Sequence, residues 1–258
     1  MDTRRATFNP TSFAEGRFRR AYKGTWTAPL WDAGRSCVVK ECKANYTWKA
    51  TDWDETVKIT EKAKELANEF NTQVRTNRPI TYTDVHVMKV VERSNDKPPK
   101  LNEYVTCEDY IEGEFNKWCN NYGYIGSGST SLPAFMHWSW WYTDSELMVA
   151  DLQGVRKDRS YLLTDPVIMS LSGNYGATDT SVEGMAMFFM NHQCNSLCNN
   201  LSKPSLHQFK GVIPDRYLQA ATALLAQVQS STTYRVEMKF PLEIRARVAA
   251  RFREIAKN

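Results

Sequence analysis

Seven residues, HQCNSLC at 192–198, constrain this chain more than any other stretch. His192, Cys194 and Cys198 put three soft donors into just under two helical turns, with the cysteines one turn apart and able to face one point. Thiolate and imidazole donors favour zinc, and a closed structural zinc site takes four of them. A fourth ligand must therefore come from a distant segment. The other histidines are His86, His137 and His207, and only His137 lies in a compact aromatic run, FMHWSWW, ahead of an acidic strand tip. The spacing also allows a metal-free reading, in which Cys194 and Cys198 are buried core thiols on a helix and His192 is a cap or a surface residue. Paired CxxC motifs, which would decide the matter, are absent.

At 258 residues the chain can bury a sizeable core without metal or disulfides, so a metal site has to be argued from its own ligands. Six cysteines are too sparse for a disulfide scaffold of this length, and a reducing, cytoplasmic location is the expectation. The formal charge of +4, from 33 basic and 29 acidic residues, permits an anionic substrate and singles out no nucleic-acid partner. Trp138, Trp140 and Trp141 have no basic stripe beside them and read as packing residues. No stretch approaches 18 uncharged apolar residues and the opening MDTRRATFNP lacks an apolar core, so neither membrane insertion nor export is expected.

Four regions are expected: a polar lead-in (1–12), a first lobe (13–112), a second lobe (113–210) and a helical extension packed on it (211–258). Short strands are predicted over 13–43, with a turn near Trp31 to Gly34. The segment DWDETVKITEKAKELANEFN sets Trp53, Val57, Ala63, Leu66, Ala67 and Phe70 on one side of a helix. Strands resume at 82–92 and 104–110, and a polar, glycine-rich stretch follows Gly113. A further helix is predicted over 182–201 and two more over 215–229 and 241–257, with Pro241 in the first turn of the last.

Several residues carry chemical potential, each with a structural alternative. Asp151 ends an apolar strand in ADLQGV and Gln153 follows two residues on, so both can face one cleft. Asp165 precedes Pro166 in LLTDP; two carboxylates and an amide suit magnesium phosphate chemistry, although an aspartate at such a place is commonly a turn former. Asp179, in SLSGNYGATDTSVEG, can serve a metal network or cap the next helix. Lys40, ending the run VVK, can reach a phosphate or stay solvated; Glu55, Glu61, Glu65 and Glu69 are all open as its partner. Of Arg17, Arg19 and Arg20, only a subset can point to one side of a strand.

The ordered set VVK, ANEFN, YIEGEFNKWCNN, DLQGV, LTDP and GMAMFFMNHQCNSLC resembles the alpha-kinase family over about residues 13–205. The resemblance implies an α+β, two-lobed protein-kinase-like alpha-kinase fold with a structural zinc in the C-terminal lobe. It implies an ATP-dependent protein serine/threonine kinase acting on a protein substrate, by family habit favouring threonine, with ATP, Mg2+ and Zn2+ bound. Lys40 and Arg19 correspond to phosphate-contacting residues, and Glu108 and Ile111 to the adenine-facing hinge. Asp151 corresponds to the catalytic aspartate and Gln153 with Asp165 to the magnesium pair. His137, His192, Cys194 and Cys198 correspond to the zinc ligands. The family element GxxNLGxxG reads GATDTSVEG here, with Asp179 at the asparagine position and Ser181 at a glycine; Thr56 stands where an aspartate is often found. These departures keep a pseudokinase or ATP-binding regulatory domain as the alternative, and a zinc-stabilised interaction domain behind it. Autophosphorylation and oligomeric state are left open.

Overall fold

The computed structural model describes residues 4–228 and 239–257; the ends of the expected lead-in and extension (1–3 and 258), and the segment 229–238, lie outside the described residues. In chain order the first elements are β1 (Arg5–Phe8), β2 (Ala14–Glu15), β3 (Arg19–Ala28), β4 (Ser36–Cys42), α1 (Asp54–Val74), β5 (Ile80–Tyr82), β6 (His86–Lys89) and β7 (Tyr104–Asp109). Then come β8 (Phe115–Lys117), α2 (Ser131–Tyr142), β9 (Leu147–Ala150), β10 (Gln153–Arg156), β11 (Tyr161–Thr164) and β12 (Val167–Ser170). The chain continues with α3 (Ser181–Asn191), α4 (Asp215–Val228) and α5 (Leu242–Ala256). Chain contacts define two compact units: the chain up to Thr60 with Thr83–Glu112, and Glu61–Tyr82 with the chain from Gly113 onward.

The first unit is built on an antiparallel sheet of order β1-β3-β4-β7-β6, with β2 pairing β3. Alternation along β3 buries Tyr22, Gly24 and Trp26 and exposes Lys23, Thr25 and Thr27, the period-two pattern of a strand with one face on a core. Tyr22 and Trp26 pack with Cys37, Val39, Val90, Val105 and Cys107. Gly24 is required by close approach, since a Cβ there would lie 2.5 Å from the Thr7 carbonyl oxygen and 2.9 Å from Cys37 Sγ. A 3-10 turn, Ala50–Trp53, leads into α1; Asp52 accepts the Lys49 N–H at 2.9 Å, and the Trp53 indole donates to the Tyr104 carbonyl at 3.0 Å.

The second unit holds a four-stranded sheet of order β5-β11-β10-β8 and an antiparallel pair, β9 with β12. Tyr82, expected in a strand running on to residue 92, ends β5, which pairs in parallel with β11. Phe70 of α1 packs against Phe135 and Trp138 of α2 at centroid distances of 5.2 and 5.4 Å. Helix α2 buries Leu132 to Trp140 without a break, so it shows no amphipathic period, and the sequence marked it only as an aromatic run. Its buried Ser139 hydroxyl donates to the Met136 carbonyl and accepts the Val149 N–H, tying α2 to β9. Helix α5 packs Phe252 against Trp140, Phe189 and Phe209. Pro241 is the N-cap of α5, one residue before the expected first turn.

Helix α3 ends at Asn191 and does not run on to residue 201. His192 turns extended (ψ 124°), and Asn195 opens a separate 3-10 turn by accepting the Leu197 N–H at 2.9 Å. Asparagines flanking the metal-type donors favour local side-chain caps over helix continuation. Cys194 and Cys198 thus sit on a loop and a short turn rather than on one helix.

Candidate active site and metal-ligand group

In the first unit Lys40 points from the middle of the sheet and is 7% exposed. It forms an ion pair with Glu108 of β7. The register pairs Val38 with Glu108 and Lys40 with Thr106, so the two side chains are diagonal neighbours on one face. The Glu108 carboxylate also accepts the Thr83 hydroxyl at 2.7 Å. A partner on β7 was missed by sequence reasoning, which looked along α1, because strand register leaves no mark in linear spacing. Arg19 and Arg20 diverge as alternation requires. The Arg19 guanidinium donates to the Thr56 hydroxyl at 2.8 Å and lies 5.3 Å from the Trp53 ring centroid, whereas Arg20 pairs with Glu41 at 2.6 Å. Ile111 is half-buried just beyond β7, and the β6 ladder ends at Cys107, short of Glu108.

In the second unit Asp151 follows β9 with φ +56°, a left-handed conformation that aspartate tolerates better than most residues. Its carboxylate pairs with Lys117 of β8 at 2.6 Å and accepts the Gln153 amide at 3.1 Å. Lys117 is a member of this group that the sequence did not single out. It is brought in by the β8–β10 register, which sets it opposite Gln153. Burial pushes the Asp151 carboxyl above the usual carboxylate range; Lys117 opposes that shift and the nearby Asp165 charge adds to it. Asp165 follows β11, whose Thr164 pairs with Gln153, and is itself left-handed at φ +50°. Gly154 makes this crowding possible: at φ +150° a Cβ would collide with the Leu162 backbone. Asp151, Gln153 and Asp165 are therefore one group.

Asp179 is held by its own loop. Its carboxylate accepts the Ser170 N–H at 2.9 Å, the Ser170 hydroxyl at 2.6 Å, the Tyr175 N–H at 3.1 Å and the Ser181 N–H at 2.8 Å. Ser170 is the last residue of β12, five residues along the chain from Asp165 and at the strand end away from it. Asp179 thus folds the loop 170–181 around itself. Ser181, where the resemblance places a glycine, is 2% exposed with φ +52°.

The ligand-type atoms of His137, His192, Cys194 and Cys198 all lie within 4.8 Å of one another. Cys194 Sγ is 3.7 Å from His137 Nδ1 and Cys198 Sγ is 3.5 Å from His192 Nε2. Bonds of about 2.0–2.3 Å to a tetrahedral zinc place ligand atoms roughly 3.3–3.8 Å apart, so the His137–Cys194 and His192–Cys198 separations match that ion and the widest pairs would close by up to about 1 Å around it. His137 Nε2 is 2.9 Å from the Ser202 carbonyl, a partner that would direct Nδ1 toward the group. Burial lowers the pKa of His137 to about 4 and of His192 to about 3, so both rings are neutral at pH 7, as ligands must be. Burial also pushes the Cys198 thiol up to about 11.

Solved structures with this fold are alpha-kinase domains. An inactive alpha-kinase domain of myosin-II heavy chain kinase A complexed with ATP matches with a TM-score of 0.66 and 22% identity, covering 79% of this chain and 91% of that one. The AMP complex of the same kind of domain matches with a TM-score of 0.65 and 23% identity, over 76% and 90% of the two chains. Residues 14–198 match the model of the alpha-kinase family. Alpha-protein kinase 1 of Dictyostelium discoideum is 31% identical over 200 residues, covering 77% of this chain and 14% of that protein. The eukaryotic elongation factor 2 kinase of Caenorhabditis elegans is 30% identical over 202 residues, covering 75% and 24%. The chain belongs to the alpha-kinase family. It spans well under a third of the length of these relatives.

Proposed function

We propose that this chain is an ATP-dependent protein serine/threonine kinase that transfers the γ-phosphate to side-chain hydroxyls of a protein substrate, favouring threonine. The observation that carries the reading is the strand-tip Asp151, held by Lys117 at 2.6 Å and Gln153 at 3.1 Å beside Asp165. A carboxylate fixed by two donors and made more basic by burial can orient a hydroxyl and take its proton as the phosphoryl group departs from ATP. Gln153 and Asp165 offer the hard oxygen donors that would hold Mg2+, which when bound offsets phosphate charge. In the first unit, Lys40 and Arg19 are assigned the ATP phosphates. The backbone of Glu108 and of Ile111 is assigned adenine, since the Glu108 carboxylate already holds Lys40 and Thr83. Asp179 serves the reaction by shaping its loop. His137, His192, Cys194 and Cys198 would hold a structural zinc; four protein ligands leave no open position for hydrolytic chemistry.

The domain reading carried forward is an ATP-binding lobe (13–112), a catalytic and zinc-binding lobe (113–210) and a packed helical extension (211–258). No helix among the described residues is long and apolar enough to cross a membrane, and we assign the chain to the cytoplasm on its thiol usage. One observation favours the regulatory alternative: Ser181 bears a left-handed backbone where the resemblance places a family glycine.

The test is transfer of radiolabelled γ-phosphate from magnesium ATP to a generic basic protein and to the chain itself. Wild type and Asp151→Asn are compared, with zinc measured per chain. Transfer lost in the variant, at unchanged zinc content near one per chain, is the expected result. ATP binding without transfer by the wild type would instead leave the regulatory domain.

A further inference from the structure

Helix α5 lies beyond residues 14–198, the stretch that matches the family, yet it neutralises a buried charge inside that stretch. Glu183, in the first turn of α3, is 4% exposed. Its carboxylate accepts the Phe240 N–H at 2.8 Å and lies 3.0 Å from Arg245 Nε. Two residues earlier is Ser181, whose N–H is one of the donors that Asp179 uses to close the loop 170–181. We propose that Glu183 is a positioning residue through which α5 holds this loop in its working shape, a role that rests on the phosphotransfer reading above.

The local geometry explains why the contact is transmitted. A buried carboxylate that loses its cation is costly, so the first turn of α3 must shift or fray to hydrate it. Inward movement is blocked, because the space beside Gly184 is filled by the Thr180 hydroxyl, Met169 and the Asn121 carbonyl. The turn is also weakly anchored. Ser181 is left-handed, and Thr180 at the N-cap spends its hydroxyl on the Asn121 carbonyl, 2.7 Å away, and not on the helix. Outward movement of Glu183 therefore pulls the Ser181 N–H from Asp179 and loosens that residue's hold on Ser170 and Tyr175. The other end of α5 is fixed independently. Arg253 grips both Glu146 carboxylate oxygens, and Phe252 is fully buried against Trp140, Phe189 and Phe209.

Arg245→Leu in the full chain breaks the first contact, and Arg253→Gln breaks only the remote clip. Hydrogen exchange read by mass spectrometry should show amides of 170–181 opening at least about tenfold faster in Arg245→Leu and unchanged in Arg253→Gln. Steady-state transfer by Arg245→Leu should lose kcat by a similar factor while KM for ATP stays put. The double variant Glu183→Gln/Arg245→Leu, whose neutral amide no longer needs a cation, should recover loop protection. Faster exchange confined to 239–256, or no recovery in the double variant, overturns the proposal. A wild type without transfer overturns the kinase reading alone, since exchange decides the coupling without activity. If Arg245→Leu fails to fold, the double variant against Glu183→Gln alone still reports: loop exchange that differs between them overturns the role of charge.

Discussion

Each unit of the chain contains a lysine–carboxylate pair, and the two are built differently. Lys40 and Glu108 project from adjacent strands inside a regular antiparallel ladder, with side chains 9% and 6% exposed. Lys117 and Asp151 are more open, at 27% and 16%, and the aspartate is on a left-handed residue just past a strand end. A pair inside a ladder is held by everything around it, so its loss is felt by the fold. A pair at a strand tip is held by a few specific donors, so its loss is felt by the chemistry that the tip presents. The same two functional groups therefore divide between stability and reactivity according to where the backbone leaves them.

The sharpest break of this comparison is Asp151→Asn. Removing the proposed proton acceptor should lower kcat by about 10²–10⁴-fold with little change in Tm, measured by phosphate transfer and calorimetry. A variant that melts early instead would erase the distinction between the pairs. Next, Lys40→Met strands the Glu108 carboxylate in the sheet and should cost about 3–5 kcal/mol in denaturant unfolding, as well as activity. A cost confined to activity would mean that Glu108 rehydrates without penalty.

Lys117→Met should lower kcat more modestly and move the acidic limb of the pH–rate profile upward. Burial already raises the Asp151 pKa and Lys117 restrains it, so activity that needs the carboxylate falls as pH drops through that raised value. The matching stability effect has the opposite sense. Because the folded state favours the protonated acid, this contribution is fully present below the unfolded carboxyl pKa and is lost as pH rises through the folded one. An unmoved limb in Lys117→Met would remove Lys117 from the site. The smallest expected effect is Ser181→Gly, which relieves a left-handed serine and should stabilise the chain by up to about 1 kcal/mol in thermal unfolding. A loss of stability would show that the buried Ser181 hydroxyl matters more than the backbone strain.

Much of the first unit was legible because period-two alternation on β3 and the apolar run of β4 survive in a single sequence. Helix α1 was equally plain, since Ala63, Leu66, Ala67 and Phe70 recur at helical spacing and all are buried. Helix α2 was not. Burial on every side erases the period, so Leu132 to Trp140 carried hydrophobicity without a shape. The end of α3 was overrun for a different reason: an i, i+4 cysteine pair suggests a helix, while Asn195 between them decides for a cap and a turn.

What the sequence by itself determined is the inventory of chemistry: an aspartate at a strand end, an amide two residues on, a second aspartate before a proline, and four soft donors in two segments. Each follows from residue type and local spacing, which a linear chain displays directly. What only the tertiary structure decided is pairing across distance. Lys117 meets Asp151 through the β8–β10 register, Glu108 meets Lys40 through β4–β7, and Arg245 meets Glu183 from a helix 62 residues further along. Such partners are selected by register and packing, and a charge finds its counter-ion only once the apolar surfaces around both have chosen how to close.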